Sequence, residues 1–252
     1  MKIRDLINFF LKKYPLNKQE TWDHCGIIVK AKINQTLTNC LICLDINNEV
    51  ISYACQKNVN LIISHHPLFK NKINRMMLDQ LKRNEISYFC LHTCFDNNRM
   101  GMNFLIAKKL KLQKINWIKN NKSYFPFGCF AKKKKMKEII TLFKKKFYCP
   151  YVFTNIKNVN KSFKYLALCA GTGYHCLAKN SNKIKQKNVL FVTGDLKYHN
   201  WIEINENKFN FLDVGHELEN FFVDFIAQEI ENNFPKIRII KIFSKQTKFL
   251  IN

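Results

Sequence analysis

Apolar positions along this chain recur in two rhythms that alternate. In MKIRDLINFFLKKYP, Ile3, Leu6, Ile7, Phe10 and Leu11 stand at helical spacing, which predicts an amphipathic first helix. TNCLICLDI (38–46), VNLIISHH (59–66) and ISYFCLHT (86–93) are short continuous apolar runs of the kind buried on both sheet faces. Helix-period segments separate them: NNEVISYACQKN, opened by Asn47 or Asn48 as a cap, then INRMMLDQLKRN and GMNFLIAKKLKL. The pattern loosens over WIKNNKSYFPFG (117–128), where Pro126 and Gly128 mark a boundary. It resumes with helix MKEIITLFKKKF and strand FKYLALCAGTGYH, which runs into a glycine turn. Strands NVLFVTGDLKYH and KFNFLDVGHE follow, then helix LENFFVDFIAQEIENN and a closing strand IRIIKIF.

Strands alternating with helices predict an α/β architecture. The two halves also repeat one another. NLIISHH, a helix and SYFCLHTCFD correspond to NVLFVTGD, a helix and FNFLDVGHELEN. The expected fold is therefore two similar, duplicated α/β subdomains with mixed sheets flanked by helices, and a metal site in the cleft between them. The expected domains are 1–122, carrying His65, His66, His92 and Asp96, and 123–252, carrying His199, His216 and Glu219. The last strand, 236–244, is a candidate to return to the first domain.

Functional groups gather at the strand tips, where open α/β sheets form their sites. His65 and His66 follow one strand, His92 and Asp96 the next, Asp195 and His199 a third, and His216 with Glu217 and Glu219 a fourth. Adjacent residues of a strand face opposite ways, so two consecutive histidines serve one site only if both leave the strand at its mouth. Imidazoles with carboxylates suit Zn, Mn, Fe or Co at a catalytic site, and a carboxylate can bridge two ions. The plainer alternative makes Asp96 a turn residue and Glu219 a first-turn partner of a helix dipole. AGTG (170–173) admits two readings as well: amides that approach a phosphate, or simple turn geometry.

Composition narrows the picture less. Ten scattered cysteines without an export signal read as reduced thiols, and the Cys40/Cys43 pair as packing in a strand. No apolar run approaches the roughly 20 residues of a bilayer span, so no membrane partner and a cytoplasmic location are expected. The formal charge of +24 leaves nucleic acid open as a partner. Lysine, however, outnumbers arginine and is spread throughout, and the runs 132–135 and 144–146 read as solvated helix faces.

The chain resembles the GTP cyclohydrolase 1 type 2 homologues, or NIF-three-like proteins. The motifs that carry the resemblance are WDHCGIIV, LIISHHPLF, LHTCFD, AGTG, TGDLKYH and DVGH, in the family's order, from about residue 20 to residue 230. The resemblance implies a toroidal homohexamer with two divalent cations per chain. His65 and His66 would be ligands, Asp96 would bind one ion and His216 the other, and a following glutamate would bridge them. His92, Tyr198 and His199 would line the site. The family places the bridging glutamate four residues after the last histidine; position 220 here is Asn220, and Glu219 is the expected substitute. The implied activity is metal-activated water attacking a nucleotide or another phosphate-containing small molecule. The alternative is a metal-stabilised ring that binds nucleic acid or protein without catalysis.

Overall fold

The first helix, α1 (Ile3–Lys13), forms because Ile3, Leu6, Ile7 and Phe10 fall on one face and are buried, while Asp5 opens it and Lys12 and Lys13 close it in keeping with the helix dipole. In this computed structural model the described residues are 1–68, 72–120, 123–147, 149–184 and 188–244. They form two compact units, Met1–Phe95 with Phe222–Asn252, and Asp96–Phe221. The sequence set its boundary at 122/123, and residues 121 and 122 lie outside the described residues.

The first unit holds β1 (Gly26–Val29), β2 (Asn39–Cys43), α2 (Asn48–Gln56), β3 (Leu61–Ser64), α3 (Lys72–Arg83) and β4 (Ser87–Cys90). Asn47 caps α2 by accepting from the Val50 amide at 2.9 Å. The short helix α4 (Thr93–Asp96) ends this run of chain. Its sheet has the order β1-β4-β3-β2 and then a last strand from the C-terminal segment. β2, β3 and β4 are parallel neighbours, and β1 is antiparallel to β4. Leu41, Cys43, Ile62, Tyr88 and Cys90 share one core cluster; Cys40 is equally buried but belongs outside it, as alternation along β2 requires.

The second unit contains α5 (Met102–Lys109), β5 (Gln113–Asn120), β6 (Ser123–Lys135), α6 (Met136–Lys146), β7 (Phe153–Thr154), β8 (Ser162–Leu168), α7 (Tyr174–Lys179), β9 (Val189–Thr193), α8 (Tyr198–Glu206) and β10 (Asn210–Asp213). Its sheet has the order β5-β6-β8-β9-β10-β7. β8, β9 and β10 are parallel, and β7 is antiparallel to β10. Both units thus contain three consecutive parallel strands with an antiparallel edge strand beside the third. The sequence repeat is a topological repeat: β3 corresponds to β9 and β4 to β10. Of the loosened stretch, residues 117–120 and 123–128 belong to an antiparallel β5–β6 pair. Lys132–Lys135 ends β6, so this lysine run is strand and not the helix face expected, whereas Lys144–Lys146 forms the last turn of α6.

The chain leaves the second unit through a 3₁₀ turn at His216–Asn220 and continues as α9 (Phe221–Asn233) and β11 (Arg238–Ile242). β11 runs parallel to β2, with Ile240 opposite Leu41, and so completes the first unit's sheet. No helix among the described residues is long and apolar enough to cross a membrane. All ten cysteines are thiols.

Candidate metal centre

His65 and His66 both reach the mouth of β3 because the strand ends at Ser64. The Ser64 hydroxyl donates to the His66 carbonyl (2.7 Å), Tyr88 Oη donates to the same oxygen (3.1 Å), and the Cys90 thiol donates to the His65 carbonyl (3.1 Å). This turn breaks the alternation that would have sent the two rings apart. His65 is fully buried, with Phe222 and Phe95 beside it at ring-centroid distances of 4.9 and 6.2 Å. His92 arrives from the neighbouring strand tip, after β4. One donor atom from each of His65, His66 and His92 lies within 4.8 Å of the others, so the first unit contains a group that could hold a metal ion.

The other ring nitrogens decide which atoms face such an ion. His65 Nδ1 lies 2.8 Å from the Leu91 carbonyl, His66 Nδ1 2.7 Å from Asp45 Oδ1, and His92 Nδ1 3.0 Å from Asp23 Oδ1. Each acceptor holds a proton on Nδ1 and leaves the donor lone pair on Nε2. Metal-binding histidines are oriented in this way, by an acceptor behind the ring. Three imidazoles with two carboxylates behind them are a fitting donor set for a divalent cation.

Asp23 is the residue that sequence reasoning passed over. It is 4% exposed and accepts from the Thr93 amide (3.0 Å), the His24 amide (2.7 Å), the Cys25 thiol (3.1 Å) and the Thr93 hydroxyl. Burial pushes its carboxyl up, but these donors and His92 outweigh burial and hold it well below the usual carboxylate range. Its partner His92 lies 69 residues along the chain, and no local spacing announces such a pairing. Asp45 was open to inference: it stands just past β2, at a strand tip like the histidines. Trp22, 57% exposed, lies edge-on to His92 with centroids 5.7 Å apart.

In the second unit Asp213 holds two loops together, accepting from the Leu196 amide after β9 and the Gly215 amide after β10, each at 2.9 Å. Gly215 takes φ +76°, open to glycine at little cost, and turns the chain into the 3₁₀ segment. Residues three apart eclipse in a 3₁₀ helix. His216 Nε2 and Glu219 Oε2 are accordingly 2.9 Å apart, and Glu219 is 4% exposed. Asn220, four residues after His216, is also buried. The AGTG turn after β8 serves this arrangement. Gly171, at φ +61°, carries no Cβ, and one there would stand 2.7 Å from Glu219 Oε1. The Gly173 and Ala170 amides are occupied inside the unit, by Thr193 Oγ1 (2.8 Å) and Asn103 Oδ1 (2.8 Å), which favours turn geometry over phosphate capture.

Asp195 bonds His216 Nδ1. Burial opposes charge on this ring, but the two carboxylates outweigh it and raise its pKa to about 11. An imidazole between two carboxylates has an unmet need for positive charge, which a metal cation satisfies as a proton does. Asp96 opens the second unit, and it and Glu219 both act electrostatically on the Cys169 thiol. That thiol is pushed well up, first by its hydrogen bond with Cys176 and by burial, then by these carboxylates. Tyr198 is 83% exposed and His199 is also exposed, both on the first turn of α8. Neither they nor Asp96 belong to a metal-capable group among the described residues.

A model of the Duf34/NIF3 family (NGG1p interacting factor 3) matches residues 1–248. A protein of Ureaplasma parvum serovar 3 named GTP cyclohydrolase 1 type 2 homolog is 34% identical over 240 residues, covering 91% of this chain and 90% of that relative. One of the same name from Mycoplasmopsis pulmonis is 28% identical over 247 residues, covering 89% and 91%. Among solved structures, Staphylococcus aureus protein SA1388 matches with a TM-score of 0.81 at 21% identity, over 100% of this chain and 99% of that one. Reduced HcgD from Methanocaldococcus jannaschii matches with 0.81 at 23% identity, over 96% and 97%. At these identities the two structures speak for the fold alone.

Proposed function

The chain belongs to the Duf34/NIF3 family, and from that premise we propose that it is a metal-dependent hydrolase acting on a nucleotide or another phosphate-bearing small molecule. The observation that carries this reading is the trio His65, His66 and His92, each ring with its Nδ1 committed to an acceptor. In the proposal His65, His66, Asp96, His216 and Glu219 are the ligands of two divalent cations, with Zn, Mn, Fe and Co all compatible with such donors. Bound there, a divalent cation would supply Lewis acidity, lowering the pKa of a water towards neutrality and polarising the group to be attacked.

The protein's own residues do the rest. Asp45, Asp23 and Asp195 aim the rings of His66, His92 and His216, and fix their tautomers. Phe95 and Phe222 keep water from the His65 ring. His92 is the proton carrier in this reading, and Asp23, bonded to its Nδ1, orients the ring. The exposed indole of Trp22 beside His92 offers a face on which a base could stack. The relatives' name makes GTP the first substrate to try. A homohexamer belongs to the same reading, and light scattering of the purified 30.0 kDa chain tests it.

The decisive experiment loads the full chain with each metal in turn, measures metal content by elemental analysis, and assays GTP for formate and a phosphoester panel for phosphate. About two cations per chain and turnover that disappears in His66→Ala are the expected results. Metal-loaded protein that turns over nothing in the panel would sink the hydrolase reading.

A further inference from the structure

The acidic residues of the second unit are segregated. Residues 96–221 carry 24 Lys and Arg against eight Asp and Glu, a net of +16; the first unit, of equal length, carries 18 against ten, a net of +8. Five of those eight, Asp96, Asp195, Asp213, Glu217 and Glu219, lie at or just beyond the carboxyl ends of strands, around the candidate metal ligands. Glu138 is committed to the Lys135 amide at the start of α6 (2.6 Å), and Glu203 accepts from Tyr174 Oη (2.6 Å). Glu206, on the last turn of α8, is the remaining one. Glu206 apart, the charged side chains at the amino ends of the same parallel strands are lysines among the described residues.

A groove runs there. Two adjoining cavities, of about 310 and about 180 Å³, share Lys208, Phe209 and Asn210 at the entry to β10. The larger adds Lys157, Lys161 and Asn155 over Ile156; the smaller adds Ser181 and Asn188 over Ile184. Among the described residues, no carboxylate lines either one. Lys161 donates to Asn210 Oδ1 at 2.6 Å, and its ammonium sits over the Phe163 ring. The 157–161 loop is tied to the start of α6 by the Met136 amide on the Lys161 carbonyl (2.9 Å) and the Lys137 amide on the Val159 carbonyl (3.0 Å). Lys134 and Lys135 pair with Phe163 and Ser162 across the sheet, which prolongs the lysine band along β6.

We propose that this groove binds single-stranded nucleic acid without regard to sequence. The pieces are those such binding needs: a row of cations for phosphates and a half-buried aromatic edge at Phe209 with aliphatic floor for bases, while the side-chain amides of Asn155, Asn188 and Asn210, committed to the Phe209, Ser162 and Val189 carbonyls, hold the groove in shape. Sequence reading by bidentate arginine is missing from the recipe, because Arg99 is the only arginine among the 24. The site is separate from the candidate metal ligands of its own unit. It occupies the amino ends of β9 and β10, whereas Asp195 and His216 follow their carboxyl ends, a strand length of about 13 Å for four residues.

Fluorescence anisotropy of the full chain with labelled oligo(dT) and oligo(U) of about 16 nucleotides tests this. At about 100 mM salt, Lys157→Ala/Lys161→Ala/Lys208→Ala should weaken binding at least tenfold and flatten the log–log salt slope by about 2, since each phosphate contact on a single strand contributes about 0.7. Lys157→Glu alone should weaken it severalfold, which guards against misfolding of the triple variant. A control triple elsewhere, Lys30→Ala/Lys144→Ala/Lys145→Ala, should cost less than threefold. Equal losses in both triples would reduce the effect to bulk charge and overturn the proposal. So would wild-type protein that does not bind, duplex bound as tightly as single strand, or a mononucleotide that competes as well as the oligomer.

Discussion

Tyr14 presents the sharpest test at the scale of one residue. Its side chain is fully buried against Phe95, with ring centroids 4.7 Å apart, and its hydroxyl has no hydrogen-bond partner among the described residues. A buried hydroxyl without a partner costs about 1–3 kcal/mol in lost hydration. Tyr14→Phe should therefore gain stability, by about 1 kcal/mol in urea unfolding at pH 7. Burial, then the charge of Glu229, lifts this phenol far above its usual value. The unfolded chain ionises it near pH 10 and the folded chain does not, so the folded state loses about 1.4 kcal/mol per pH unit above that point. The advantage of Tyr14→Phe should widen above pH 10 and stay constant below it; an unchanged or smaller gap at pH 11 would contradict this account. At this same scale the limits of sequence reasoning are clearest. Histidines at strand tips were legible because their type and their position agree. Glu219 was preferred to Asn220 on chemistry, since a carboxylate bridges and an amide does so poorly; spacings of three and four both suit a helical face, and the 3₁₀ turn that sets residue 219 against His216 was not legible. Asp23 was illegible because its role exists only once residues 23 and 92 meet.

Among elements, the turn between β8 and α7 shows how a short motif can look like one thing and be another. Four residues with two glycines resemble a phosphate cradle, yet Gly171 makes room for a carboxylate, and its carbonyl accepts from the Gly173 and Gly194 amides (both 2.9 Å) and the Thr193 hydroxyl (3.0 Å). Gly171→Ala puts a methyl group at φ +61° and 2.7 Å from Glu219 Oε1. The backbone term alone is about 1–2 kcal/mol. The variant should melt lower and, on the proposed ligand set, retain less metal by elemental analysis, with Gly128→Ala, a glycine of β6 remote in sequence from the motif, as a control for general damage. Retention of full metal content would separate Glu219 from metal binding. Strands and helices themselves were readable from apolar rhythm, and so was the return of the C-terminal strand as a candidate. The lysine run at 132–135 misled because charge without apolar periodicity carries no secondary-structure signal. What extends β6 to Lys135 is its pairing with β8, Lys134 opposite Phe163 and Lys135 opposite Ser162.

For the molecule as a whole, charge is the term that sequence composition states outright and that its folding must oppose. A net charge of +24 on 252 residues, with a pI near 9.7, places like charges at distances where they repel through water at low ionic strength. Individual lysines mitigate this locally: Lys146 donates to the Lys109 carbonyl (2.9 Å), Lys109 lies over Phe221 at 4.7 Å, and Lys241 pairs with Asp224 at 3.0 Å. Eighteen carboxylates cannot neutralise 42 cations, however, and several are already committed at the strand tips. Salt shortens the screening length from about 30 Å at 0.01 M to about 8 Å at 0.15 M, which removes most of the long-range repulsion while leaving contact pairs nearly intact. Thermal stability at pH 7 should thus rise between 10 and 150 mM sodium chloride, by several degrees if about 1–2 kcal/mol is recovered, since 1 kcal/mol moves a chain of this size by roughly 2–4 °C. Raising the pH from 7 to 9 at low salt should act in the opposite direction, because His216, held protonated by its two carboxylates, and the Cys40, Cys43, Cys90 and Cys149 thiols, pushed up by burial, keep protons in the folded state that the unfolded chain gives up over this range. A melting temperature that falls with salt would mean that attractive pairs outweigh repulsion, and that the lysines are arranged against the few carboxylates far more favourably than their numbers imply.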